Sequence, residues 1–505
     1  MTLTGNSRTV VVVGGGLAGI SAAIGLADAG LDVTLLEARA WLGGATCSFA
    51  RRGLMIDNGQ HVFMRCCETY RGLLARLGVT AASPLQGPLD VTVLGLAAAS
   101  RVHGSRLPAP MHLVRSIARY RLLSASERAK AAAAAVALQF ADADRHDRSL
   151  GDWLARHGQD ERSRRAFWDV LTLSALNVPA DHAELPLAAA AISTALLAGR
   201  GNADLGIPLV PLSQLHGNPA AELLRQLGVT VRLGVGASAL RVSPAGGYDV
   251  RLVHTAPPGA SGVLAPEREA VYDHAPTEIN AAGIVLAVPA WDAAALVQTE
   301  LADVAATWSS LRPSPVVSLH VIYGTRVTEL PFAAVVDSPV HWVVDKTEAA
   351  GLRTGQYLAA SIRAADAYVD TPVSELRAEL MPELERLFPS AAGAIVTDFF
   401  VTRERRATIA HVPASTQSRV TTGAELPGFA VAGAWTDTGW PDTMEGAVRS
   451  GRSAARKIIA ELPAIGAMAA GRLRPPAARV NAEGAATPGP MQPGPDGRRH
   501  VTSTS

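Results

Sequence analysis

The chain has 505 residues, 48% of them hydrophobic and 18% charged, enough for a substantial core and roughly two to four units at ~100–200 residues per domain. Its formal charge of +1 at pH 7 removes the electrostatic case for nucleic acid as a partner. The three cysteines, Cys47, Cys66 and Cys67, are odd in number and lack zinc spacing, so free thiols in a reducing cytoplasm are expected, and no metal site.

Val10 to Val13 reads as a buried strand, followed at once by Gly14-Gly15-Gly16-Leu17-Ala18-Gly19, which satisfies G-x-G-x-x-G. Gly14 permits the tight exit, Gly16 lets the backbone approach a pyrophosphate, and Gly19 lets the next helix lie close on the sheet. That helix runs from Ile20 to the stop at Ala29-Gly30, and Leu31 to Leu36 is a second parallel strand ending on Glu37. A pyrophosphate would sit on the free N–H groups of the helix, and the Glu37 carboxylate would accept from ribose hydroxyls. Contacts from Leu17, Ala18, Ala38 and Arg39 belong to the same turn and strand end. An ADP-containing cofactor is expected.

Further along come Gly43-Gly44, the loop Asp57-Asn58-Gly59-Gln60-His61, and a helix from Tyr70 to Leu77 closed by Gly78. From Arg106 to Ala141 the chain turns helical, rich in alanine and arginine, with Ser126 as the expected cap of its second part. Another helical patch covers Ser149 to Leu176, and Leu185 to Ala198 is too short and too broken to cross a bilayer. The runs VTVRLGVGASALRV, YDVRLVHT and INAAGIVL read as strands, as do VVSLHVIYG, HWVVDK and QYLAASIR, with a helix at Pro372 to Leu387. A final strand, loop and long helix end near Glu461, and the Pro/Gly/Ala-rich tail 461–505 is expected to be disordered.

The late element E-G-A-V-x-S-G at 445–451, beside the early glycine pair, resembles the FAD-dependent amine oxidase and phytoene desaturase superfamily. IDNGQHVFM, VLTLSALNVPA, HWVVDK and AGAWTDTGWPDTMEGAVRSG narrow the resemblance, over residues 9–460, to the hydroxysqualene dehydroxylase family. The resemblance implies an α/β protein. A Rossmann-like FAD-binding domain of the glutathione-reductase-2 type (8–90, 205–290 and 405–460) would be interleaved with an α+β substrate domain carrying a helical insertion (91–204 and 291–404). It implies FAD contacts from Gly43, Gly44, Asn58, Gly59, Gln60, His61, Ala237, Gly433, Ala434, Thr443, Met444, Glu445 and Ala447.

The implied reaction takes hydroxysqualene, an allylic alcohol, to squalene upstream of hopanoids, with hydride supplied by reduced flavin and the electron donor unnamed. Such chemistry needs a dry apolar channel and a proton source. His61, Asp57, Asp437 and Glu445 are candidate donors, with Asp345 as a further one; each has a bland reading as a cap, a turn or a ribityl contact. Trp168, Trp342, Trp435 and Trp440 either line the channel or pack the core, the last two flanking the flavin loop. Peripheral membrane contact is expected through 106–140, with Arg115, Arg119 and Arg121 at headgroups and Leu113, Ile117, Leu122 and Leu123 below them.

Two positions depart from the superfamily pattern. Ala45 stands where an arginine usually follows the paired glycines, and Ala434 where an aspartate usually follows the glycine of the last strand. Arg39, Arg51 or Arg52 is expected to replace the missing guanidinium, and FAD binding to persist. The competing readings are a carotenoid or phytoene desaturase, an amine oxidase using Lys346, and a non-catalytic flavin-fold partner of squalene-forming enzymes.

Overall fold

The computed structural model describes residues 8–96, 98–141, 146–244, 246–255, 277–421 and 426–462; the expected tail disorder lies outside them. Thr9–Val13 is the middle strand of a five-stranded parallel sheet in the order Phe429–Val431, Gly283–Leu286, Thr9–Val13, Asp32–Glu37, Thr230–Leu233. The next strand in the chain lies on one side of it and a much later one on the other. The strand order therefore reverses at the first strand, whose carboxyl end is where open α/β sheets bind ligands. Gly14 begins there.

The three strands Thr9–Val13, Gly283–Leu286 and Phe429–Val431 are buried on both faces, which is why they read as nearly unbroken apolar runs. The helices Leu17–Asp28 and Met444–Glu461 cover one face together with Leu35, Val285 and Ala430. An antiparallel sheet of Val235–Val242, Tyr248–His254 and Glu278–Ala281 covers the other, around Trp308 and Trp435. The two helices meet through glycine: a Cβ on Gly451 would lie 2.1 Å from the Ala18 carbonyl oxygen, and one on Gly19 would lie 1.8 Å from that of Gly14.

A second sheet of seven strands is mixed, in the order Val396–Ile409, Pro313–Tyr323, Gln356–Arg363, Trp342–Asp345, Phe332–Val335, Asp90–Leu94, Ala99–His103. Val317, Leu319 and Val321 point to the helix Val373–Leu387, while the alternate residues Ser318, His320 and Ile322 point toward the 48–61 segment. The strand Val396–Ile409 is continuous past residue 404, so the expected join at 405 falls inside it.

In the helical insertion the structure departs from the sequence expectation at several points. The alanine-rich helix Ala125–Ala137 is capped by Ser124, in a reciprocal box with Glu127, and not by Ser126. The stretch 111–123 is only a 3-10 turn and the short helix Val114–Ala118. Leu113, Leu122 and Leu123 are buried in the core, so they do not form the lipid-facing set assigned to them; Leu107, Met111 and Val114 are about half exposed instead, at 53, 51 and 47%.

The glycine contact between the first and last helices makes a direct prediction. Gly451→Ala should lower the thermal midpoint by several degrees, the overpacking cost being about 1–3 kcal/mol, and should weaken flavin retention. Gly72→Ala, on an open helix face with no neighbour within 4 Å, should leave both unchanged or slightly raised. Equal behaviour of the two variants in differential scanning fluorimetry would count against this packing.

Candidate active site

The N-terminus of Leu17–Asp28 is built to receive an anion. Gly16 occupies the cap position without a side-chain hydrogen bond, and the first turn carries no acid. A Cβ at Gly16 would meet only the Cα of Gly44, at 3.8 Å, so the space above the turn is shaped by the missing side chains. Gly43 bridges to Gly16 and donates its N–H to Gly15 O at 2.8 Å. These features fit a pyrophosphate lying on the turn.

Glu37 ends the second strand buried, its carboxylate accepting from Gly15 N–H and Arg39 N–H, both at 2.7 Å. Two such bonds fix the carboxylate beside the turn and leave further lone pairs outward. Gly236 approaches Ala38, and Ala237 marks a register shift in its strand, so the 235–242 strand borders the same end. Of the three arginines offered as substitutes for the one absent at Ala45, only Arg39 is at hand, donating to Gly44 O at 2.8 Å. Arg51 and Arg52 both turn to Asp398, and Arg51 also lies over the Phe400 ring at 4.1 Å. They are drawn across to the seven-stranded sheet and cannot serve the glycine pair.

Around the C-terminal loop, Gly433 donates its N–H to Ser450 Oγ, and Thr443 caps the last helix by accepting from Gly446 N–H. Met444 and Ala447 pack into the core beneath the first helix. Sequence reasoning missed Arg419, whose buried guanidinium donates to the carbonyls of Ala434, Trp435, Thr436 and Trp440. One side chain thus holds the whole 434–440 turn, including the position where the usual aspartate is lost. An isolated arginine outside any motif gave no signal of this.

The candidate proton donors do not converge. Glu445 is fully buried, accepts from Thr69 N–H and Tyr70 N–H at the start of the helix Glu68–Arg76, and pairs with Arg449. It caps a neighbouring helix. Asp437 accepts from Gly439 N–H in its own turn, and Asp345 accepts from Thr347 and Gln356. Trp168 and Trp435 are core residues, Trp435 donating to Val288 O and meeting Trp308 edge-on at 5.3 Å. Trp440 lies under Arg449, and Trp342 lines a cavity.

Asp57 and His61 stay together, with Lys346. Asp57 Oδ1 accepts from Ser48 Oγ at 2.7 Å and from Leu212 N–H at 2.9 Å, and Oδ2 pairs with Lys346 Nζ at 2.8 Å, both partners buried. Asn58 has its amide wholly engaged: Nδ2 donates to Ala45 O and Glu404, and Oδ1 accepts from Cys47 N–H. Gln60 receives Ser318 Oγ at 3.4 Å. His61 Nδ1 lies 3.2 Å from Gly59 O. Burial pushes its ring down to about 4, opposed by Asp57 and reinforced by Arg363 and Lys346. The imidazole is therefore neutral near pH 7, and with Nδ1–H given to Gly59 its Nε2 is free to accept.

A reversal of strand order over a glycine cradle, with the last helix returning to that cradle, defines a dinucleotide-binding oxidoreductase. The chain belongs to the family of flavin containing amine oxidoreductases, whose model matches residues 17–459. It is 29% identical over 477 residues to the hydroxysqualene dehydroxylase of Rhodopseudomonas palustris, covering 90% of this chain and 99% of that one. It is 25% identical over 501 residues to a zeta-carotene desaturase of Zea mays, covering 89% and 83%. Among solved structures, the cyclohexylamine oxidase of Brevibacterium oxydans has a similar fold, with a TM-score of 0.64 at 18% identity over 89% of this chain and 98% of that one. FAD is the cofactor, and the protein is an FAD-dependent oxidoreductase.

The buried histidines make the fold acid-sensitive. Burial lowers His216 and His320 from 6.5 to about 3, and both rings are fully buried, bonded to Tyr70 and to Tyr357 and Thr402. The unfolded chain binds their protons first, so their contribution is complete above pH 6.5 and is lost as pH falls toward 3, at ~1.4 kcal/mol per unit for each. Together they should remove ~3 kcal/mol between pH 6.5 and 5. Urea denaturation at those two pH values should show a marked fall that is shallower in His216→Gln; a pH-independent midpoint would refute this linkage.

Proposed function

We propose that the protein reduces hydroxysqualene to squalene, removing an allylic hydroxyl. The observation that carries this reading over a desaturase is the buried Asp57–Lys346 pair beside His61. Reductive loss of hydroxyl consumes a proton at the substrate oxygen, and this is a buried proton reservoir next to the flavin loop. A desaturase drawing hydride from a hydrocarbon has no oxygen to protonate. Similarity to a hydroxysqualene dehydroxylase over nearly the full length of both chains supports the same choice.

FAD, once reduced, supplies the hydride. Asp57 anchors the Lys346 ammonium, which has three N–H donors, of which Asp57 takes one direction. The Lys346 ammonium gives its proton to the substrate oxygen as the carbon–oxygen bond breaks, and His61, once protonated from solvent, returns one to the amine from Nε2. An imidazolium opposed by burial and by two cations is a strong acid, which favours the donation. The apolar strands and helices around Phe332, Val344 and Val93 exclude water from the hydrocarbon. We assign cofactor contact to the Gly14–Gly19 turn, Glu37, Arg39, the Gly43-Gly44 pair, Gly59, Gln60 and the Thr443–Ala447 helix start.

Anaerobic incubation of the reduced holoenzyme with hydroxysqualene should yield squalene by mass spectrometry. Lys346→Met should lower kcat by about 10²–10⁴-fold, the usual weight of general acid catalysis, while keeping the flavin spectrum. Conjugated product from phytoene, or peroxide released with amines, would replace this reading by a desaturase or an amine oxidase. No squalene together with no product in any of these assays would leave a non-catalytic partner.

The proposed substrate dwells in bilayers, and we place membrane contact at Leu107, Met111 and Val114. The surrounding 104–123 segment carries Arg106, Arg115, Arg119 and Arg121 and no acidic residue. Flotation with vesicles containing phosphatidylglycerol should be reduced several-fold by Leu107→Ser with Met111→Ser. Unchanged flotation would move the contact elsewhere or abolish it.

A further inference from the structure

One patch of the seven-stranded sheet is polar with no internal use for that polarity. Ser318 and Ser361 face each other in register on neighbouring strands, and Arg363 lies two residues on, on the same side of its strand. Ser318 Oγ is engaged with Gln60 Oε1. Ser361 Oγ, Arg363 Nε and Gln60 Nε2 are buried and have no hydrogen-bond partner. Among the described residues the Arg363 guanidinium has no ion pair, although burial pushes it down to about 10. Buried polar atoms are seldom left unmatched, and here one of them belongs to a guanidinium.

The surroundings say where the patch opens. Arg363 is near enough to His61 to oppose its protonation. A cavity of about 440 Å³ lies nearby, lined by Val170, Leu173, Val336 and Trp342 on one part and by Arg165, Asp169 and Asp337 on another. Trp342 pairs in register with Ser361, and His341 N–H donates to Ser361 O at 2.9 Å. The polar patch and the cavity are therefore neighbours along one strand face.

We propose that Ser361 and Arg363 form the pocket for the substrate's hydroxyl oxygen, entered from the side of that cavity; this rests on the reading of the substrate as an allylic polyprenyl alcohol. The chemistry selects the ligand. A guanidinium N–H can only donate, so the matching atom must be an acceptor. A carotene offers none and an alkylammonium offers none, whereas a hydroxyl oxygen does. As the carbon–oxygen bond lengthens that oxygen gains negative charge, which the guanidinium favours further. Gln60 Nε2 borders both this pocket and the flavin loop and is left to the cofactor side.

The test compares binding of hydroxysqualene and squalene to the oxidised holoenzyme, followed by flavin absorbance. Wild type should prefer the alcohol by about 30-fold or more, two donors being worth roughly 3- to 10-fold each and more where one is charged. Ser361→Ala should cut that ratio about 5-fold and Arg363→Met should bring it near one, with squalene affinity unchanged and Arg363→Lys restoring part of the preference. Should Arg363→Met fail to fold, Ser361→Ala decides alone. Variants that keep the wild-type ratio while wild type still makes squalene would overturn the pocket only. Loss of bound flavin in Ser361→Ala would assign the group to the cofactor and also overturn it. A wild type that neither prefers the alcohol nor reduces it would remove the reading of the reaction and the pocket with it.

Discussion

The buried ion pair between Asp57 and Lys346 joins the two halves of the molecule at the flavin loop. Asp57 ends the strand Leu54–Asp57, which follows the glycine pair, and Lys346 follows the strand Trp342–Asp345 of the other sheet. Removing two charges from water is costly, and each becomes tolerable only because the other is present. Ser48 and the Leu212 N–H complete the carboxylate's contacts, so the pair is held in one geometry. Asn58 extends the same seam by bonding Ala45 on one side and Glu404 on the other. Position and polarity at the loop thus depend on contacts that no single domain supplies.

The loss of two familiar polar cofactor contacts is offset differently at its two places. Near Ala45, Arg39 is anchored through Gly44 O on an exposed side chain, and near Ala434 the backbone turn itself is fixed by Arg419. Neither substitute recreates the lost geometry. A hold on FAD here would rest more heavily on backbone donors of the glycine turn and the last helix, which pack closely at Gly19 and Gly451.

Much of the first sheet was readable because its determinants are local. Val10 to Val13, the glycine turn and Glu37 lie within one short βαβ unit, and glycine requirements there follow from contacts too close for any Cβ. The second sheet was harder, since the hairpin of Asp90–Leu94 and Ala99–His103 joins it by pairing Asp90–Leu94 with Phe332–Val335 across a long sequence gap. The amphipathic look of 111–123 misled for a related reason: Leu113, Leu122 and Leu123 cover the outer strands of a sheet whose presence there was not foreseen. At the site, residue type pointed to Asp57, His61 and Glu445 alike, but only tertiary contact separates a carboxylate paired with an ammonium from one that caps a helix.

The electrostatics of the proposed site also bear on how the reaction would run. A free allylic cation would arise near Lys346 and Arg363, and a like charge at ~8 Å in a medium of effective dielectric ~20 costs about 2 kcal/mol. Trp168 and Trp435 are withdrawn into the core, so of the tryptophans Trp342 at the cavity wall is the one placed to offset part of this. The same two cations favour negative charge building on the departing oxygen. A site with this sign would favour departure of the oxygen more than accumulation of positive charge on carbon.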